Sequence, residues 1–184
     1  MIELAFVRHG EAAHSWGEHT DPGLSELGKQ QAEHAAYTLT GIVPSELVLI
    51  SSPKLRAQET AAPLADLRSA PVMIDANFQE VPSVTDLANR QEWLKSLMRS
   101  RWSEVKEPVV NTWRDNIIEG VHRLGHHSVI FTHFMVLNVI LGHIRQDDRV
   151  LQFWPDNASI TRCRLNNGTL ELVALGAELD THVN

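Results

Sequence analysis

Cysteine occurs once in this chain of 184 residues, at Cys163. A single thiol excludes an internal disulfide and any zinc cage built on several cysteines. Long apolar runs are missing as well. No stretch reaches the ~20 residues that a membrane helix needs. The opening MIELAFVRHGE carries an acid inside its apolar stretch, with neither a basic leader nor a small-residue cleavage site. No signal peptide and no membrane partner are expected, and a reducing, cytoplasmic location is. Positive charge is not in excess either: 16 Lys plus Arg stand against 23 Asp plus Glu, a net charge of −7. That balance argues against broad nucleic-acid binding, though not against a local anion pocket. Repeats, low-complexity tracts and long linkers are absent, so one globular domain over residues 1–184 is expected. A chain of this size buries roughly 70% of the surface its unfolded form exposes. Histidine, by contrast, is plentiful, with ten copies.

The pattern along the chain alternates strands and helices. Residues 2–7 (IELAFV) are short, apolar and β-rich and stop at a polar turn, which predicts a buried strand. A helix is predicted over 25–40, with Ser25 as N-cap and Gly41 as stop signal. A strand at 46–51 leads into Ser52-Pro53, which reads as an N-cap followed by a first-turn proline, with a helix to Leu67. A short strand at 72–75 is followed by an irregular stretch, 77–90. Helices are predicted at 90–102 and 109–124, a strand at 128–132, and an apolar helix at 134–143. Strands at 158–164 and 169–175 flank Asn166-Asn167-Gly168, a hairpin signal. The expected fold is a three-layer α/β/α sandwich with a mostly parallel sheet, an antiparallel edge and a small helical insertion at about 77–112.

Ligands of such sheets bind beyond the C-terminal strand ends. Just past three of the predicted strands stand Arg8 and His9, then Ser51-Ser52-Pro53 with Arg56 one turn on, then His133. Each alone reads as an ordinary turn, helix-surface or capping residue. Together, two arginines and two histidines fall on one predicted edge. Guanidinium groups pair with phosphate oxygens, and imidazole serves as nucleophile, acid/base or cation. The implied ligand is a phosphoryl group.

The segment FVRHGEAAHSWGEHTDPGLSELGKQQA, with Arg8-His9-Gly10-Glu11 as its core, resembles the opening of the histidine phosphatase superfamily, the phosphoglycerate-mutase-like proteins. SSPKLRAQETAAPLA (51–65) is similar to that family's second motif, and VIFTHFMVLNVIL (129–141) to its last. Asn157-Ala158-Ser159 is also family-like. The resemblance implies a metal-independent phosphomonoester hydrolase without cofactor. His9 would take the phosphoryl group and pass it to water. One imidazole nitrogen would donate to a backbone carbonyl, brought close by Gly10, while Arg8, Arg56 and His133 hold the equatorial oxygens. Glu80, in Phe78-Gln79-Glu80, would protonate the leaving oxygen. Asp75, Asp86 and Glu92 are alternatives for that proton. Gly10, Ser15, Phe134 and Asn157 would contact substrate.

Phe134 stands where the family usually has glycine. Val81-Pro82 replaces a Gly-rich continuation. Ala12-Ala13-His14-Ser15-Trp16 lacks the mutase Trp-Asn pattern and favours a phosphatase over a mutase-type phosphotransferase. The resemblance implies a phosphorylated substrate, with small phosphate esters and a phosphoprotein as the candidates. A non-catalytic phospho-ligand binding protein is the competing class. His122 and His126, four apart, raise a metal hydrolase as a third, although no metal is expected. Arg90, Lys95, Arg99 and Arg101 make a basic helix face. Trp93 and Trp102 are expected in the insertion's core, Met73, Met98 and Met135 as core filling, and Cys163 as a buried hydrophobe.

Overall fold

A computed structural model describes residues 1–14 and 20–179. Ser15 and Trp16 lie outside the described residues. The strands are β1 (Ile2–Arg8), β2 (Val48–Ser51), β3 (Val72–Ile74), β4 (Ser128–Thr132), β5 (Ile160–Asn166) and β6 (Thr169–Ala174). The helices are α1 (Glu26–Ile42), α2 (Leu55–Arg68), α3 (Arg90–Arg99), α4 (Pro108–His122) and α5 (Phe134–Arg145). The sheet runs β3-β2-β4-β1-β5-β6. Its first four strands are mutually parallel, β5 is antiparallel to β1, and β6 is antiparallel to β5. The expected α/β sandwich with a mostly parallel sheet and an antiparallel edge is therefore present.

Side-chain alternation along the central strands builds the layers. Ala5, Val7, Leu49, Val129 and Phe131 point to one face and pack on Ala36 and Leu39 of α1 and Ala61 and Leu64 of α2. Leu4, Phe6, Ile50 and Ile130 point to the other, against Ile117 and Val121 of α4 and Val136 and Ile140 of α5. Helix α5 is buried along its whole first nine residues, Phe134 to Gly142. Its one buried amide, Asn138, is satisfied. The Oδ1 accepts from the backbone of Gln152 and Phe153, and the Nδ2 donates to the Phe134 carbonyl. That side chain pins the segment leading to Trp154 and Pro155 onto α5.

Local signals explain most boundaries. Ser25 caps α1 by accepting from the Gly28 amide at 3.0 Å. The β5–β6 turn carries Asn167 at φ 48° and Gly168 at φ 78°, two left-handed residues that suit a two-residue hairpin loop. The 77–112 stretch contains α3 flanked by short 3-10 turns, and its Leu94, Leu97, Trp102 and Val105 join the same apolar cluster as Leu4 and Phe6. Trp93 is half-buried against it. Cys163 is fully buried, which pushes its thiol pKa up to about 12.

Four expectations need correction. Gly41 does not stop α1, which continues to Ile42 and ends at an extended Val43. Ser52-Pro53 does not open α2; the cap position is Lys54, and Ser52 Oγ accepts from the Lys54 amide at 3.2 Å. Helix α4 ends at His122, so His122 and His126 do not share a helix face. Met73 is not core: it sits on β3, an edge strand, and is 60% exposed, whereas Met135 is fully buried and Met98 packs against the core.

Glycine decides how closely α1 approaches the turn after β1. A Cβ on Gly28 would sit 2.1 Å from the Glu11 carbonyl oxygen, and one on Gly10 would sit 2.5 Å from that of Gly28. Backbone meets backbone there, so no side chain can yield. Gly28→Ala is expected to destabilise by about 1–3 kcal/mol. Gly41→Ala, in open helical space, is expected to stabilise by about 0.5–1 kcal/mol. Urea-denaturation midpoints of the two variants should move in opposite directions.

Candidate active site

Register brings the candidates together. Arg8 on β1 pairs with Thr132 on β4, and Ser51 on β2 pairs with Phe131. The next residues, His9, His133 and Ser52, therefore leave three adjacent strands side by side. The ladder continues one step further, with His9 N–H donating to the Thr132 carbonyl at 2.9 Å and Ser52 N–H to that of Phe131 at 3.0 Å. The His9 and His133 rings stand 5.2 Å apart, edge to face.

Both nitrogens of His9 are engaged. Nδ1 lies 2.7 Å from the Gly10 carbonyl, and Arg56 Nε–H donates to Nε2 at 3.1 Å. A carbonyl only accepts and a guanidinium only donates. The tautomer follows: Nδ1 carries the hydrogen and Nε2 presents its lone pair. Burial, then the charges of Arg56 and Arg8, hold the His9 pKa well below the ordinary imidazole value, so the ring is neutral.

His133 is also fully buried, and burial, His9, Arg56, Lys54 and Arg8 hold it well below that value. Its Nε2 meets Ser52 Oγ at 2.7 Å, while Nδ1 has no partner. Arg8 donates through Nη1 to the Pro155 carbonyl at 2.7 Å, and its Nε is buried without a partner. Its guanidinium lies 5.4 Å from the Phe134 ring centroid, and that ring is edge-on to Trp154. Phe134 is only 5% exposed, so it backs Arg8 more than it offers surface to a ligand.

Glu80 joins the group. Its carboxyl is fully desolvated, which raises its pKa against the pull of the Val81 amide, Arg56, the Met135 amide and Arg8. Oε1 accepts from the Val81 N–H at 2.9 Å. Burial lowers the pKa values of Arg8 and Arg56, while Glu80 raises both. Asn157 belongs to a segment laid along the backbone of His9: Ala158 N–H donates to the His9 carbonyl, and Arg8 N–H to that of Ser159. The structure thus brings Arg8, His9, Gly10, Arg56, Glu80 and His133 together, with Phe134 and the Asn157 segment beside them. Ser15 is outside the described residues. Buried donors, two guanidinium groups and an oriented imidazole lone pair are the groups that can hold a tetrahedral oxyanion.

Sequence reasoning missed three supporting side chains. Thr60 accepts from the Gly10 amide at 3.0 Å and donates to the Arg56 carbonyl at 2.7 Å. Its position four residues after Arg56 on a helix was the available signal. Asp21 accepts from the Leu55 amide at 3.1 Å and lies 3.9 Å from Arg56 Nη1, across a loop that hides any spacing rule. Thr132 Oγ1 donates to the Phe78 carbonyl at 2.7 Å, tying the segment that carries Glu80 to β4.

Residues 4–178 match the family model of the histidine phosphatase superfamily (branch 1). A glucosyl-3-phosphoglycerate phosphatase of Mycolicibacterium vanbaalenii is 37% identical over 81 residues, 42% of this chain. That match spans 35% of the relative's length. The fold is shared with a phosphoserine phosphatase from Entamoeba histolytica in complex with 3-phosphoglyceric acid. The TM-score is 0.74 and the identity 20%, over 96% of this chain and 98% of the other. It is shared too with a mycobacterial glucosyl-3-phosphoglycerate phosphatase in complex with VO3. There the TM-score is 0.72 and the identity 20%, over 97% of this chain and all of the other. Among the described residues no helix is long and apolar enough to cross a membrane.

The two neutral imidazoles set an acid limit. Their pKa values are depressed from 6.5 in the folded state, so below pH 6.5 the unfolded chain binds more protons than the native one. Stability is lost as pH falls through that window, by up to about 1.4 kcal/mol per pH unit for each ring. Glu80, raised from 4.5, acts with the opposite sign above that value and offsets part of the loss. The urea midpoint is expected to drop from pH 6.5 to pH 5. A His133→Asn variant should show a shallower drop, and an unchanged slope would place the acid limit elsewhere.

Proposed function

Because this chain belongs to the histidine phosphatase superfamily, branch 1, we propose that it is a phosphomonoester hydrolase working through a phosphohistidine on His9. The observation that carries this reading is the His9 tautomer, locked from both sides with its Nε2 lone pair facing the cations. In-line attack of Nε2 on phosphorus forms the N–P bond and breaks the P–O bond to the leaving group. Arg8, Arg56 and His133 hold the three equatorial oxygens. Positioning and charge stabilisation of this kind supply most of what phosphoryl transfer needs. No metal or cofactor takes part.

Substrate binding displaces the Arg56–His9 hydrogen bond, and the phosphoryl oxygens take over the Nε–H. The unpartnered Arg8 Nε and His133 Nδ1 gain acceptors at the same moment. His133, neutral when the site is empty, accepts a proton more readily once a dianion fills it. Gly10 serves through its carbonyl, the Asn157 segment lines the pocket, and Phe134 positions Arg8 from behind. Ser15 is the remaining proposed contact. Desolvation raises the Glu80 pKa and favours its protonated form, which suits it to give a proton to the departing oxygen. Glu80 then takes a proton from the water that attacks phosphorus, which forms a P–O bond, breaks the N–P bond and returns the lone pair to Nε2. A small phosphate ester is the proposed substrate, in keeping with the phosphoglycerate- and phosphoserine-related names of the similar proteins.

His9→Ala is expected to abolish hydrolysis of an aryl phosphate, and a chelator to leave the parent's rate unchanged. Hydrolysis by His9→Ala at the parental rate would remove His9 as nucleophile. Intact binding of a phosphate analogue by a parent without turnover would make the protein a binding module.

Glu80→Gln should slow esters with poor leaving groups by about 10²–10⁴-fold and p-nitrophenyl phosphate far less, because only the former need the proton. Equal losses on both classes would move the acid elsewhere.

A further inference from the structure

His122 ends α4 and His143 lies in the last turn of α5. Their Nε2 atoms face each other at 3.4 Å, with ring centroids 5.5 Å apart. That gap is long for an N–H···N hydrogen bond, since good ones with nitrogen donors fall at roughly 2.7–3.2 Å. It matches something else. Two nitrogens bound at roughly 2.0–2.1 Å on a tetrahedral ion stand about 3.3–3.4 Å apart, and on adjacent corners of an octahedron about 2.9 Å. The centroids are farther apart than the nitrogens, so both Nε2 atoms lie on the facing sides of their rings.

We propose that His122 and His143 form a two-imidazole site for zinc or a similar tetrahedral divalent transition-metal ion, completed by water, that clips α4 to α5. The ends of both helices point their carbonyl poles this way, which favours a cation. His143 also borders an open cleft of about 550 Å³ walled in part by Asp115, Glu119, Asp147 and Asp148. Asp115 is paired with Arg114, Glu119 with Arg123, Asp147 with Arg149, and Asp148 with Ser103. These side chains are already engaged, so the imidazoles provide the ligands. Among the described residues no group of three or more His, Cys, Asp or Glu is placed to hold a metal, so the site has open positions and a moderate affinity. His143 stands ten residues along α5 from His133, about 15 Å of helical rise, so the site is separate from the phosphate cage.

The test uses the metal-free full chain titrated with zinc chloride by calorimetry, with thermal unfolding followed in parallel. One ion should bind, with no response to magnesium. At a tenfold excess of zinc over its dissociation constant the unfolding midpoint should rise by about 3–6 °C. His122→Ala and His143→Ala should each weaken binding at least about tenfold, while His126→Ala and His9→Ala leave it unchanged. Cobalt(II) should show the strong visible absorption of a tetrahedral ion, lost in both variants. His122 is exposed, so its variant carries the test even if His143→Ala unfolds. Zinc binding that survives both substitutions overturns the site. So does binding that falls instead in His9→Ala, which would place the ion in the phosphate cage. An absence of zinc binding overturns it as well.

Discussion

The imidazole of His9 is fixed by two hydrogen bonds of opposite sense, one to the carbonyl of the next residue and one from a guanidinium. The first requires the chain to fold back tightly at Gly10, and the space for that turn is set by α1, whose Gly28 lies against it. The second requires α2 to start where it does, so that Arg56 points inward within its first turn. Thr60, one turn later, hydrogen-bonds both the Gly10 amide and the Arg56 carbonyl. The two helices on one face of the sheet therefore converge on residues 9 and 10. Helix α5, on the other face, starts directly after His133. The parallel register of β1, β4 and β2 places all three starts on one edge.

The electrostatics follow from the same enclosure. Burial makes a charged imidazole expensive, so both rings stay neutral and His9 keeps its lone pair. Burial acts in the opposite direction on Glu80, favouring the protonated form. One desolvated pocket thus lowers the pKa of its imidazoles and raises that of its carboxyl, in a chain whose net charge is −7. Overall charge has little bearing on such a site. Arg8 is held by the Pro155 carbonyl and the Phe134 ring, while Arg56 donates to His9 and lies 3.9 Å from Asp21.

The fold was legible because its signals are local: apolar strands ending at polar turns, a serine cap, an Asn-Gly turn. The cage was legible because its members stand at strand ends. What escaped depends on contacts distant in sequence or on where a helix stops. Ser52-Pro53 has the composition of a helix start, yet the chain turns once more before α2 and leaves Ser52 Oγ beside His133, 81 residues away. Phe134 reads as an intruder at a glycine position. Only packing shows its ring behind Arg8 and against Trp154, a segment held there by Asn138. Met73 reads as core because its strand is apolar, but an edge strand has a side that nothing covers.

Histidine spacing shows the same limit. The i,i+4 interval between His122 and His126 means a shared face only while the helix continues, and α4 ends at the first of them. The partner of His122 is His143, brought alongside by the β4 connection, which sends α4 and α5 in the same direction with their final turns together. A buried pair at one end of α5 and a solvent-facing pair at the other differ only in surroundings. The first is enclosed with arginines and oriented by a carbonyl and a guanidinium, which suits a phosphoryl group. The second stands at two helix carbonyl ends with its Nε2 atoms 3.4 Å apart, which suits a cation. Residue type names what each pair can do, and the field of its neighbours selects the sign of the ligand.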